Sequence, residues 1–322
     1  MSAAMTRLIG IDCPLCGSNS FKRLFRRRDH RLQVTAELFD VVRCDGCSLV
    51  YVNPRPDDEA IKQYYTDEFY DAQASPEDAL TSIKPRLDGM VSHVADLAAG
   101  RVLDVGCFKG EFLETMRRRG WDVHGVELHA RPPNLFGLDI HYGAIEAAPF
   151  AAASFDLITI WAVLEHVLDP RGILHACRRL LKPGGRLVVL VPNFNSLPGR
   201  YMQHDDIPRH ITMFTRKTLY RILDDCGFAA TRFHCGQEVY SGTVRGLLNY
   251  LFKQINGEPL SDIVAQARQP ARWVEFCWHL HGRESAWMKR VDGWDQKLYA
   301  RFDRVLDGLG LGFIMTVHAV PK

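Results

Sequence analysis

The apolar runs and turn signals of this chain predict an α/β fold. Three observations carry the expectation. Arg101-Val-Leu-Asp-Val105 is an apolar strand that breaks at Gly106 and enters a helix after Gly110. Val123-His-Gly-Val-Glu127 is a second apolar strand, and it ends on a carboxylate. Residues 154–160 and 186–191 are further strand-length apolar runs, separated by a helix over 171–181 that closes at Lys182-Pro-Gly-Gly185. Strands alternating with helices build a sheet covered by helices, and Pro and Gly after a helix are ordinary stop signals.

Composition narrows the class. The chain has 322 residues, 47% hydrophobic and 24% charged, which is enough for more than one core. Its formal charge of +2 gives no broad electrostatic case for DNA or RNA, so nucleic acid is not the expected partner. No apolar run approaches the ~18 residues that cross a bilayer, so no membrane partner is expected. The polar start Met1-Ser-Ala-Ala-Met-Thr-Arg7 is not a secretory signal. Nine cysteines would suit disulfides in a small secreted chain, but here the cytoplasm is the expected compartment.

The N-terminal segment, 1–56, reads as a separate ribbon. Cys13-Pro-Leu-Cys16 and Cys44-Asp-Gly-Cys47 are two tight turns, each aiming two thiolates at one point. Together they predict a tetrahedral four-cysteine site of the kind that suits zinc. Free thiols or a redox pair are the alternative. Four protein ligands leave no open position, so such a zinc is structural. Short strands at 21–25, 33–38 and 41–43 would carry the turns. Cys107, Cys177, Cys226, Cys235 and Cys277 read instead as small buried hydrophobes.

Residues 57–98 read as a helical linker. Leu49-Val-Tyr-Val-Asn-Pro-Arg-Pro56 leads into a helix from Asp57 with Ile61, Tyr64 and Tyr65 on its apolar side. Ser75-Pro-Glu-Asp78 has the form of a capped helix start, and Ser82 begins another with Pro85 in its first turn. Ile83, Leu87, Met90, Val94 and Leu97 mark one helical face leading to the first sheet strand.

The motifs of 99–240 resemble those of the class I S-adenosylmethionine (SAM) methyltransferases. The spacing Gly106-x-x-x-Gly110 after a strand ending in Asp104 resembles that family's first motif and differs from the G-x-G-x-x-G of a dinucleotide site. The Phe155-Asp156 strand opening, Leu164-Glu165-His166 and Leu181-Lys-Pro-Gly-Gly-Arg-Leu187 occur in the family's order, and the match runs from about 99 to 235. Residues 310–322 look like the closing strand of the same core. The four-cysteine ribbon followed by Val52-Asn-Pro-Arg-Pro56 resembles one branch, which includes enzymes methylating sugars, polysaccharide precursors and other small metabolites.

The resemblance implies a Rossmann-like class I methyltransferase sheet and a site. Asp104, Gly106 and Gly110 would meet the methionine end of SAM, Glu127 the ribose, and the turn containing Ala144 and Ile145 the adenine. Cys107, Phe108, Leu128 and Trp161 would complete the cofactor wall. Tyr64, Tyr65 and Tyr70 would either lid the cofactor or pack the ribbon on the core. Two positions depart from the family pattern: Phe108 stands where many relatives have glycine, and Ala144 where an acid often reads the adenine amine.

The acceptor side rests on two segments. Pro208-Arg-His210 and Phe214-Thr215 resemble a stretch shared with ubiquinone-type O-methyltransferases. His210 is the first candidate for a substrate contact or general base, the alternative being a loop-fixing histidine. Glu165 and His166 are the other candidates, with a helix cap as the alternative. Residues 241–309 read as a helical insertion that carries four of the six tryptophans. It would be core, a roof over the substrate pocket, or a homodimer face.

A SAM-dependent methyltransferase acting on a small-molecule acceptor is therefore the leading expectation, with O-methylation favoured. A ribosomal or transfer RNA methyltransferase with a zinc-ribbon recognition domain, and a non-catalytic SAM-binding scaffold, are the alternatives.

Overall fold

The computed structural model describes residues 7–29, 34–35, 37–65, 75–128, 133–196, 206–240 and 301–322. Tyr70 and residues 241–300, most of the expected insertion, lie outside the described residues, and with them the expected roof or dimer face.

The N-terminal strands are β1 Leu8–Ile9, β2 Phe21–Arg27, β3 Phe39–Cys44, β4 Val50–Val52 and β5 Arg55–Pro56. A 3-10 turn over Ala60–Tyr64 follows, then helices α1 Pro76–Ser82 and α2 Lys84–Ser92. The core contains β6 Arg101–Val105, α3 Glu111–Arg117, β7 Asp122–Glu127, β8 Ile140–Tyr142, β9 Phe155–Trp161, α4 Pro170–Leu180 and β10 Leu181–Pro192. It continues through β11 Thr212–Met213, α5 Arg216–Asp225 and β12 Phe228–Cys235, and ends on β13 Ile314–Pro321.

Seven strands form one sheet in the order β8-β7-β6-β9-β10-β13-β12. The first five are parallel, and β13 runs antiparallel to both of its neighbours. The chain leaves β6 toward β7 and β8, then returns to β9 on the other side. This reversal is a topological switch point at the carboxyl ends of β6 and β9, where open α/β sheets bind ligands. Alternation along the strands sorts side chains into two cores. Leu103, Ile158, Ile160 and Val189 pack with Leu174 of α4 and Leu219 of α5. Val102, Leu157, Val188 and Leu190 pack with Leu87 and Met90 of α2 and with Phe112 of α3. Strands buried on both faces are apolar throughout, as parallel strands are.

The helix caps are local. Ser75 Oγ accepts the Asp78 amide, and Asp169 accepts the amides of Arg171 and Gly172 at the start of α4. Thr215 and Thr218 make a reciprocal capping box on α5. Each such cap stabilises its helix by about 1 kcal/mol.

A second sheet, in the order β11-β4-β3-β2, joins the N-terminal strands to one from far along the chain. Met213 and Ile211 of that later segment share a core with Phe39, Val41, Val50 and Tyr64.

Three local expectations change. No strand occupies the described residues of 33–38; the strand starts at Phe39, whose side chain is the first of the run to be fully buried. The turn after Asp57 is 3-10 rather than α, a short segment over Ala60–Tyr64 preceded by the Asp57 carboxylate, which accepts the amides of Glu59 and Ala60. The second linker helix starts at Lys84 with Ile83 as its N-cap, so Pro85 occupies the first turn and Ser82 closes α1.

Candidate active site and metal centre

The turn from β6 to α3 is shaped by backbone that side chains resist. Gly106 sits at φ +75°, and a Cβ there would lie 2.4 Å from Val163 Cγ2. Gly110, at φ +86°, caps α3 and leaves only 2.5 Å to Leu138 Cδ1 for a Cβ. Glycine supplies both conformations without strain. The Gly106 amide donates to the Val126 carbonyl at 2.8 Å, fixing the turn against β7. Between the glycines, Phe108 adopts φ +52° and its amide donates to Glu127 Oε2 at 3.0 Å. Cys107 is buried against Gly125, where a Cβ would meet its Sγ at 2.6 Å.

Asp104 is buried at the end of β6. Burial pushes its carboxyl up to about 7, partly offset by the hydrogen bond that Thr159 Oγ1 donates to Oδ1 at 2.6 Å. Glu127 ends β7 next to Leu128, which is exposed. The Glu127 carbonyl accepts the Gly143 amide at 2.9 Å, which brings Ala144 and the short turn Ile145–Ala147 alongside; Ile145 itself is buried in the core. Trp161 ends β9, stacked edge-on to Phe112 at 5.3 Å, with its buried Nε1 unpartnered among the described residues.

The sequence reading missed Arg86. It lies on α2, donates to the Tyr240 hydroxyl and covers the Tyr240 ring at 4.3 Å. Its charge acts on Asp104 and Glu111, and its buried Nε has no partner among the described residues. The apolar stripe of Leu87 and Met90 drew the reading of α2, and a single arginine beside such a stripe carries no periodic signal. Two carboxylates, a glycine-bounded turn and an orphaned cationic donor fit a cofactor with hydroxyls at one end and an amino-acid carboxylate at the other.

The acceptor-side candidates come together. Glu165, His166 and His210 offer ligand atoms that all lie within 4.8 Å of one another, so the three could also hold a cation. The His166 and His210 rings meet edge-on at 4.6 Å. Tyr65 Oη lies 3.4 Å from His166 Nδ1, and Asp206 Oδ2 lies 3.2 Å from His210 Nε2. Glu165 is buried with Oε2 unpartnered among the described residues, and burial raises its carboxyl to about 8, with Asp206 adding to the rise. The cap of α4 is Asp169, so Glu165 is not spent on capping.

The four ribbon cysteines also converge. Cys13 and Cys47 sulfurs lie 3.5 Å apart, as do those of Cys16 and Cys44, and all four are free thiols within 4.8 Å. Tetrahedral zinc with ~2.3 Å bonds needs sulfurs about 3.7 Å apart, so the donor set fits. Each turn is closed by a left-handed residue, Gly17 after Cys16 and Ser48 after Cys47. Burial lifts the Cys13 thiol to about 11. At Cys44 burial is outweighed by hydrogen bonds from the Cys47 amide and neighbouring thiols, which bring it to about 7.

Residues 90–232 match the family described as a methyltransferase domain. The ubiquinone biosynthesis O-methyltransferase of Erwinia tasmaniensis is 38% identical over 121 residues, 34% of this chain and 50% of that protein. The enzyme of the same name from Xanthomonas oryzae is 41% identical over 129 residues, 37% of this chain and 54% of that protein. The chain thus spans about half the length of the curated relatives it matches. Among solved structures, a SAM-dependent methyltransferase from Archaeoglobus fulgidus aligns at a TM-score of 0.45 and 18% identity, over 75% of this chain and 97% of that one. No helix among the described residues is long and apolar enough to cross a membrane. The family match is confined to residues 90–232, under half of the chain.

Proposed function

We propose that this protein is a SAM-dependent methyltransferase of a small-molecule acceptor, transferring to oxygen, with a structural zinc in its ribbon. The observation that supports it most is the pairing of two half-sites at the sheet's reversal. One is the Asp104–Gly106–Gly110–Glu127 cradle, and the other is the Glu165–His166–His210 cluster.

SAM bound in the cradle supplies a methyl already activated as a sulfonium. The residues then have modest tasks. Glu127 holds the ribose hydroxyls, Asp104 and Arg86 the amino-acid end, and Ala144 and Ile145 flank the adenine. His210 takes the acceptor hydroxyl's proton, and Asp206 beside Nε2 steadies the imidazolium that results. His166, oriented by Tyr65, is the alternate base. Alignment supplies several kcal/mol, and a positioned base ~10²–10⁴-fold in rate. A sugar, polysaccharide precursor or secondary metabolite is the proposed acceptor class, and the reduced four-thiol ribbon suits the cytoplasm.

The test is incubation of the purified chain with methyl-labelled SAM and a metabolite extract, followed by mass spectrometry. A labelled O-methyl product supports the reading. SAM binding with no labelled product from any pool would leave a scaffold, and label in RNA would give a different enzyme.

A further inference from the structure

We infer that the ribbon is part of the acceptor-side site: through one shared strand it sets the positions of His210 and Glu165, and Tyr51 couples the cysteine cluster to that strand.

The connection is a continuous hydrogen-bond ladder. Thr212 lies opposite Tyr51 and Met213 opposite Val50, and the Val52 amide donates to the Ile211 carbonyl at 2.9 Å. On its other side the same segment is bonded to the core. The Ile211 and Thr212 amides both donate to the Glu165 carbonyl, at 2.9 and 3.1 Å. The segment Ile211–Met213 is therefore gripped between β4 and Glu165, and His210 is the residue that enters it. Two further bonds run the same way. Arg209 reaches the Tyr64 carbonyl at 3.4 Å, and Arg55 Nη1 donates to the Leu168 carbonyl at 3.0 Å. Both loops that carry the acceptor-side cluster are thus bonded to residues 51–65.

A two-residue strand has no stability of its own; it exists where a template strand holds it. The template is β4, and the cysteines fix β4. Cys44 ends β3, Cys47 stands two residues before Leu49, and the Cys44 amide donates to the Leu49 carbonyl at 2.9 Å. In small ribbons metal-binding energy is folding energy, so release of the metal removes the template of β11.

Tyr51 touches both ends of this chain of contacts. Its side chain packs in one core cluster with Cys13, Cys44 and Cys47, while its backbone faces Thr212. It is fully buried, and its hydroxyl has no partner among the described residues. Buried hydroxyls are nearly always satisfied, and metal-bound thiolates accept hydrogen bonds from outer groups that orient them. Tyr51 is thus a positioning residue: with zinc bound its unpartnered hydroxyl would donate to a ribbon thiolate, and its backbone sets the register of β11.

The test uses the full chain and needs no acceptor. It rests on the proposed function for the ribbon zinc and the placement of His210, but its exchange and zinc-release readouts do not depend on methyl transfer, so the two can fail separately. Zinc is withdrawn with a chelator, and in parallel Val52→Pro deletes the one amide bond to Ile211 while sparing all four cysteines. Three quantities are read: amide exchange at Ile211–Met213, the pH profile of His210 carbethoxylation, and affinity for S-adenosylhomocysteine. Both perturbations should raise exchange about tenfold or more and shift the His210 profile, with cofactor affinity held within about threefold. Tyr51→Phe should keep one zinc but release it to chelator about tenfold faster, and again shift the His210 profile. Unchanged exchange and an unchanged profile in zinc-loaded Val52→Pro would overturn the brace. Wild-type zinc release from Tyr51→Phe would overturn the role of Tyr51.

Discussion

The amide of Phe108 donates to the carboxylate of Glu127 at 3.0 Å. The residue that departs from the glycine pattern is thereby tied to the acid expected to meet the ribose. Phe108 stands at φ +52°, a left-handed conformation that costs a non-glycine residue about 1 kcal/mol or more. The bond holds that strained turn in place, so a ligand that engaged Glu127 would also act on the turn.

Glu127→Ala should weaken SAM and S-adenosylhomocysteine binding about ten- to a hundredfold, or ~1.5–3 kcal/mol, by losing bonds to two hydroxyls and the tie to Phe108. Calorimetric titration of the folded variant checks this. Wild-type affinity would remove Glu127 from the site.

Gly89→Ala should destabilise the protein by about 2 kcal/mol or more. A Cβ at Gly89 would lie 2.0 Å from the Glu238 carbonyl oxygen, which is backbone and has little room to move. Because Tyr240, two residues on, contacts Arg86, cofactor affinity should fall as well. Urea unfolding beside a binding titration reads both, and a variant as stable as wild type would sink the close packing of α2 on this segment.

The raised carboxyl of Glu165 makes stability depend on pH with a defined sign. Its folded value of about 8 lies above the ordinary ~4.3 of an unfolded glutamate. Folding therefore favours the protonated form. That contribution is complete below ~4.3 and is lost as pH climbs through 8, at up to ~1.4 kcal/mol per pH unit. Glu165→Gln does not titrate, so its stability relative to wild type should improve steadily from pH 5 to 8. A difference that stays flat with pH in urea unfolding would refute the raised value.

His210→Ala should leave SAM affinity nearly intact and lower kcat about a hundredfold or more. A histidine that only fixes its loop would instead raise KM and lower Tm together. Kinetics on the acceptor separate the two, and full kcat in both His210→Ala and His166→Ala would leave the transfer running on alignment alone.

One zinc per chain is expected in protein purified without chelator, lost in Cys44→Ser together with the fold of the ribbon. Apparent zinc-folding energies of ~10–16 kcal/mol in small domains far exceed what so short a segment's own core supplies. Metal analysis of the purified protein decides it, and a metal-free yet folded ribbon would count against zinc.

Much of the cofactor half was legible because its signals are local. A strand that breaks at Gly106, a helix beginning after Gly110 and an acid closing the next strand are facts about short segments. Backbone conformation and burial period fix them directly. Asp104 and Glu127 could be singled out as candidates for the same reason. Arg86 could not, because its value lies in facing Asp104, Glu111 and Tyr240 from another element. The strand expected at 41–43 extends over Phe39–Cys44, because its pairing with β2 and β4 settles where it begins and ends, while none occupies the described residues of 33–38.

The sequence by itself determined the order of elements in the core, the cap at Ser75 and the two cysteine turns. Each of these follows from spacing along the chain. Only the tertiary structure decided that Glu165, His166 and His210 meet, and that Thr212 pairs with Tyr51 so that a late strand completes the ribbon's sheet. Those contacts join segments far apart in the chain. Their formation depends on which buried surfaces and unpaired backbone groups find each other once the main sheet has formed.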